Sequence, residues 1–269
     1  MKKVLVLDID GTLTNSAKEI TEGTRQAIWE IMDRGHKVIL ASGRPTPGMR
    51  RYEAELELDK REGYLLSFNG AKVVNCMSGE VVHQKVLPLS ILPGLYQYAK
   101  ERGAGLITYY GDTVISAFEP DEYVMLEARI NGLPVRVVEN FVEFVDYDIN
   151  KCLMTAPVEL AEVMEQELQK QYGEVLSVYR SEPFFVEIMP RNVDKASSLE
   201  KILPALGVAW EGTVCCGDGF NDISMIKYAK VGVAMGNAQP AVKEAADYIT
   251  GTNDEDGLVE VIRKFFSEE

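Results

Sequence analysis

Histidine is almost absent: His36 and His83 are the only two in 269 residues. That excludes a histidine-built zinc centre and leaves a serine–histidine–aspartate triad almost no material. Cysteine occurs four times, at Cys76, Cys152, Cys215 and Cys216, without metal-ligand spacing. All four are expected to be reduced core residues. No apolar stretch approaches the ~20 residues of a bilayer-spanning helix. Met1-Lys2-Lys3 runs straight into a strand too short for a secretory leader, so a cytoplasmic location with no membrane partner is the expectation. Basic residues are also scarce. Lys and Arg number 28 against 42 Asp and Glu, a formal net charge of -14 that would repel nucleic acid and anionic lipid alike. An anionic small molecule would need local positive charge and a metal.

What the chain has is apolar content, 46% of its residues, and length enough for two domains. Residues 4–7, Val-Leu-Val-Leu, form a short continuous run of β-formers that predicts a strand buried on both faces. It ends in Asp8-Ile9-Asp10-Gly11-Thr12. Ligands of open α/β sheets bind beyond the carboxyl ends of the strands, which is where this places Asp8. Two aspartates one residue apart suit phosphoryl chemistry. Asp8 can attack phosphorus, while Asp10 handles the proton of the leaving alcohol and later of water. Two like unit charges about 4 Å apart repel by roughly 4 kcal/mol at an effective dielectric of about 20, so a cation must sit between carboxylate and phosphate. Hard oxygen ligands favour Mg²⁺. Gly11 allows close backbone approach, and Thr12 offers a hydroxyl and an amide to a phosphate oxygen. A helix–loop–helix calcium site would want glycine sixth and a helix before it, whereas here glycine is fourth and a strand precedes.

The chain continues with a helical period over residues 20–34, capped by Thr21, and a second strand at residues 37–41, predicting a βαβ unit with parallel neighbours. That strand ends in Ser42-Gly43-Arg44, a candidate phosphate-cradling turn before a proline-started helix. A strand at 65–68 and a hairpin over 72–83 follow. From residue 84 to 189 the pattern changes to helix-plus-hairpin, twice over (helices at 89–102 and 158–172), with extra elements at 119–131 and 139–148. This reads as an α+β domain inserted into an α/β core made of residues 1–83 and 190–269. Strand–helix alternation then resumes. Lys195 opens a helix capped by Asp194, and a buried strand at 213–216 ends in Gly217-Asp218-Gly219-Phe220-Asn221-Asp222. Two strands of one sheet that both end in Asp and Gly bring distant carboxylates into one crevice. Asp8, Asp10 and Asp218 would then ligate Mg²⁺, with Asp222 holding a metal water or orienting Lys195.

Taken in order, Asp8-Ile9-Asp10-Gly11-Thr12, Ser42-Gly43-Arg44, Lys195 and Gly217–Asp222 resemble the four motifs of the haloacid dehalogenase superfamily of phosphohydrolases. The inserted segment resembles the cap of its Cof-type branch. The resemblance implies a Rossmann-like core and a Mg²⁺-dependent phosphatase of small phosphorylated metabolites, sugar phosphates above all. It makes Asp8 the nucleophile and Asp10 the general acid/base, with Ser42 and Lys195 on the phosphate. Asp8, the Asp10 carbonyl and Asp218 would hold the metal, supported by Asn221 and Asp222. Thr12, Gly43, Arg44 and Asn221 complete the expected phosphate-binding set. Substrate selection is expected in the insertion, around Tyr110, Arg129, Arg180 or Glu182; the sequence identifies neither the substrate nor the oligomeric state. Two other readings stay open: a phosphosugar mutase, and a receiver-like phosphoryl-accepting switch, against which stand the length, the insertion and Asp10.

Overall fold

The computed structural model describes residues 1–267. These divide into two compact units, Met1–Gln84 with the described residues from Asp194 onward, and Lys85–Val193. The first unit opens with β1 (Val4–Leu7), α1 (Glu22–Asp33), β2 (Lys37–Ala41), α2 (Thr46–Glu55), β3 (Tyr64–Ser67), β4 (Lys72–Asn75) and β5 (Val81–Gln84). The second unit comprises α3 (Leu92–Arg102), β6 (Gly105–Tyr110), β7 (Thr113–Ser116), α4 (Glu122–Asn131), β8 (Val135–Val137), α5 (Phe141–Phe144), β9 (Cys152–Thr155), α6 (Val158–Tyr172), β10 (Leu176–Glu182) and β11 (Phe185–Pro190). The first then resumes with α7 (Lys195–Leu206), β12 (Thr213–Gly217), α8 (Ile223–Tyr228), β13 (Val231–Ala234), α9 (Pro240–Ala245), β14 (Tyr248–Ile249) and α10 (Gly257–Phe265).

The strands of the first unit form one sheet in the order β14-β13-β12-β1-β2-β3-β4-β5, parallel except where β4 pairs with β3 and β5. Every residue of β1 is buried. Leu5 and Leu7 join a cluster with Ile28 and Ile31 of α1 and Val261 and Ile262 of α10. Val4 and Val6 join another with Leu199, Ile202 and Leu203 of α7. Helices on both sheet faces explain why the strand reads as unbroken apolar sequence rather than alternation.

Register positions the site. Leu7 lies level with Cys216 on one side and Leu40 on the other. All three strands therefore release the chain at the same edge, bringing Asp8, Ser42 and Asp218 to one end of the sheet. The strand order runs from β1 through β2 and β3 in one direction and through β12 to β14 in the other, so this end is a topological switch point where a crevice opens.

Local differences from expectation have local causes. The helix expected over 20–34 spans Glu22–Asp33, because the Thr21 hydroxyl accepts the Thr24 amide hydrogen bond at 3.2 Å and ends the non-helical approach. The strand expected at 65–68 stops at Ser67, where Phe68 and Asn69 both turn left-handed with φ of 52°. The four cysteines are buried and unbridged.

The second unit carries a six-stranded sheet in the order β10-β11-β9-β6-β7-β8. Leu106, Ile115, Met154 and Val186 cluster with Leu95 of α3 and Ala161, Met164 and Leu168 of α6. Lys151 is buried in this unit with its Nζ 3.2 Å from Glu187. Among the described residues no helix is long and apolar enough to cross a membrane.

Candidate active site

Lys195 sits at the centre. Asp194 caps α7 with a reciprocal capping box, its carboxylate accepting the Ser197 amide at 2.9 Å, which makes Lys195 the first helical residue. Its side chain runs inward and is 0% exposed. The ammonium donates to Asp8 Oδ1 and Asp222 Oδ1, each at 2.6 Å, and to the Ala41 carbonyl at 2.7 Å. These acceptors come from the ends of β1 and β2 and from the turn between β12 and α8, so a single lysine ties three strand-end segments together. Burial alone would lower its affinity for a proton, but the charges of Asp222 and Asp8 outweigh that and raise its pKa.

Asp8, Asp218 and Asp222 each offer a carboxylate oxygen, and these atoms lie within 4.8 Å of one another. Burial and the charge of Asp222 push Asp8 up to about 8, against the pull of Lys195. Burial also raises Asp218 to about 6, opposed by the Thr12 hydrogen bond. Three carboxylates compensated by one ammonium leave negative charge unbalanced, and the donors are all hard oxygens. This set fits a hard divalent cation such as Mg²⁺. The two oxygens of Asp222 already have partners: Oδ1 takes Lys195, and Oδ2 takes the amides of Asp218 and Gly219 at 3.0 and 2.9 Å. Asp222 thereby shapes the loop that presents Asp218.

Close packing dictates two glycines. Gly11 adopts φ of +89°, and a Cβ there would lie 2.5 Å from Asp218 Oδ2. A Cβ on Gly217 would lie 2.4 Å from the Asp222 Cβ. The Thr12 hydroxyl donates to Asp218 Oδ1 at 2.8 Å, so the first motif supports the fourth directly. Ser42 is buried beside this cluster, its hydroxyl accepting the Arg44 amide at 3.2 Å and its carbonyl accepting the Asn69 amide at 2.9 Å. Gly43 lies against the Asn69 side chain, whose Oδ1 also accepts from exposed Asn221 at 3.1 Å.

Asp10 stands apart from the three-carboxylate group. Arg44 donates through Nε to its Oδ2 at 2.7 Å and through Nη2 to its Oδ1 at 2.9 Å, and Lys18 reaches Oδ1 at 3.1 Å. Burial works to raise its pKa, but the hydrogen bonds and charges of Arg44 and Lys18 win and lower it. The side chain of Arg44, expected on the phosphate, therefore spends its guanidinium on Asp10. Of the residues named for substrate selection, Arg180 is tied to Glu165 at 2.8 Å, Tyr110 packs on Tyr147 with ring centroids 4.7 Å apart, and Arg129 and Glu182 are exposed.

Three residues at this edge escaped the sequence reading: Lys18, Asn69, and Asn237, whose Nδ2 donates to the Gly11 carbonyl at 2.8 Å. Asn69-Gly70 carries a turn signal, which marks a place without marking a role. Lys18 and Asn237 carry no signal at all, since their partners are set by the folding of the loops that bear them.

A doubly wound sheet whose strand ends gather carboxylates around a buried lysine, interrupted by an α+β insertion, is the architecture of a phosphoryl-transfer hydrolase. The chain belongs to the haloacid dehalogenase-like hydrolase family, whose model matches residues 5–262. It is similar to a haloacid dehalogenase-like hydrolase of Bacteroides thetaiotaomicron of known crystal structure, at 41% identity and a TM-score of 0.94 over 98% of this chain and 99% of that one. It is also similar to the 5-amino-6-(5-phospho-D-ribitylamino)uracil phosphatase YcsE of Bacillus subtilis, at 31% identity over 97% of this chain and 94% of that protein. The solved structure of the HAD subclass IIB sugar phosphatase BT4131 superposes with a TM-score of 0.83 at 26% identity, covering 98% of this chain and 99% of that one. The protein is accordingly a phosphoric monoester hydrolase of this family.

Proposed function

We propose that the protein is a Mg²⁺-dependent phosphatase of small phosphorylated metabolites with a polyol or sugar backbone, working through an aspartyl phosphate on Asp8. The observation that carries this reading is the Asp8 carboxylate held 2.6 Å from a fully buried Lys195, beside Asp218. The names of two similar proteins, a phosphoribitylamino-uracil phosphatase and a sugar phosphatase, support the substrate class.

Asp8 attacks phosphorus and the ester P–O bond breaks, the leaving oxygen taking a proton from Asp10, which Arg44 and Lys18 hold ionised in the free protein and which takes up a proton from solvent as the anionic ester arrives beside it. Water then attacks the phosphoryl group, giving its proton to Asp10 as the bond to Asp8 breaks, and alcohol and inorganic phosphate are the products. Lys195, Ser42 and the amides around Gly43 offset charge on the phosphoryl oxygens. Asp8, the Asp10 main chain and Asp218 would hold Mg²⁺, with Asp222 fixing the loop around Asp218. Bound Mg²⁺ would supply positive charge that lets an anionic nucleophile meet an anionic ester. Thr12 and Asn221 keep supporting roles, and the inserted unit serves as the cap that selects among substrates.

A panel of phosphorylated metabolites assayed for phosphate release with and without Mg²⁺ tests this. The expected result is Mg²⁺-dependent release, highest on sugar and polyol phosphates. Isomer formation without phosphate release would establish a mutase instead, and a long-lived phosphoprotein without turnover a switch.

A further inference from the structure

The contact between Lys18 and Asp10 has a built loop behind it. Asn15 Oδ1 accepts the amides of Ala17 and Glu19 at 3.0 Å each, the Asn15 amide donates to the Glu19 carbonyl at 2.9 Å, and the Lys18 amide donates to the Asn15 carbonyl at 2.9 Å. The Lys18 carbonyl in turn accepts from Arg51 of α2 at 2.9 Å. Lys18 itself adopts φ of 63°, a left-handed conformation that disfavours any residue with a Cβ. Segment 15–19 is therefore closed on itself and tied to a helix of the core, with its lysine turned onto one carboxylate.

Stability does not explain the arrangement. The Lys18 side chain is 57% exposed, and ion pairs so exposed add little to folding. The Asp10 oxygen it touches, Oδ1, is one that Arg44 also holds. Arg44, its side chain only 13% exposed, grips the carboxylate through a rigid planar fork, while Lys18 closes on it from the loop with a flexible point charge.

We propose that Lys18 is a positioning residue for proton transfer: together with Arg44 it clamps the Asp10 carboxylate between two cations and fixes its orientation toward the leaving oxygen of the substrate. The inference rests on the reading of Asp10 as general acid/base given above. Lys18 touches neither phosphate nor metal in this role, and it acts through Asp10 alone.

The test uses the full-length enzyme with Mg²⁺, comparing wild type, Lys18→Met and Lys18→Arg on two esters. Glycerol phosphate has a poor leaving group that needs a proton from Asp10, whereas p-nitrophenyl phosphate releases a phenolate that does not. Positioned general acids contribute on the order of a hundredfold or more, so a misplaced one should forfeit about tenfold in kcat/KM on glycerol phosphate. The loss on p-nitrophenyl phosphate should stay within about threefold, with KM nearly unchanged on both esters, and Lys18→Arg should recover most of it. Equal losses on the two esters, a rise in KM alone, or no change would each overturn the proposal. If wild type released phosphate from neither ester, the reading of the site itself would have failed, an outcome distinct from all of these.

Discussion

Replacing Lys195 by methionine keeps the length and most of the volume of a fully buried side chain while deleting its charge. The ammonium lies 2.6 Å from Asp8 and from Asp222, and 2.7 Å from the Ala41 carbonyl. Breaking a buried ion pair from one side costs about 3–5 kcal/mol because the other charge is stranded, and here two carboxylates are stranded together. At roughly 2–4 °C per kcal/mol for a domain of this size, the melting temperature of the metal-free protein should drop by about 10 °C near pH 8. The loss should shrink with acidification. Burial and the charge of Asp222 already push Asp8 up to about 8 in the presence of Lys195. A carboxylate raised in the folded state binds more protons there than in the unfolded chain, so stability falls as pH rises from about 4 through 8. Removing the ammonium steepens that fall. Calorimetry in EDTA at pH 5.5 and pH 8 reads both effects. A loss below about 1 kcal/mol at pH 8, or one equal at the two pH values, would refute the buried cluster as the place where the strand ends are held together.

Other consequences concern the same few residues. Gly11→Ala forces a Cβ into a left-handed backbone and to within 2.5 Å of Asp218 Oδ2, so Mg²⁺ affinity measured by titration calorimetry should fall at least about tenfold, and undiminished binding would contradict the packing argument. Because Asp8 and Asp218 sit at about 8 and about 6 before a cation arrives, Mg²⁺ affinity should climb steadily between pH 5 and pH 8; a flat profile would show that the ion does not displace their protons. Asp10→Asn should slow hydrolysis of alkyl phosphates by about 10²–10⁴-fold while leaving Mg²⁺ binding intact, as steady-state kinetics beside calorimetry would establish.

Much of this site could be read from the chain because its key positions follow from strongly local signals. The apolar run at Val4–Leu7 is buried on both faces, so it had to be an inner strand, and its end had to carry Asp8 to the edge of a sheet. The same grammar at Thr213–Gly217 placed Asp218. The depth of Lys195 was less legible. A lysine at a helix start is ordinarily solvated, and its burial depends on β1, β2 and β12 being neighbours, a long-range fact. The partners of Arg44 and Asp10 were illegible for a related reason: a Ser-Gly-Arg turn predicts amides facing an anion but does not say where a long side chain will go. Lys18 depends on one left-handed residue in a short loop, a conformation that carries no preference for lysine.

The sharpest test of the proposed chemistry is to mix enzyme, Mg²⁺ and substrate, quench in acid within the first turnovers and analyse the peptides by mass spectrometry. One phosphoryl group on the peptide bearing Asp8, absent from Asp8→Asn and cleared as turnover ends, is the predicted result. Phosphate release by Asp8→Asn at a rate near that of wild type, or a phosphoryl group trapped on any other residue, would contradict it.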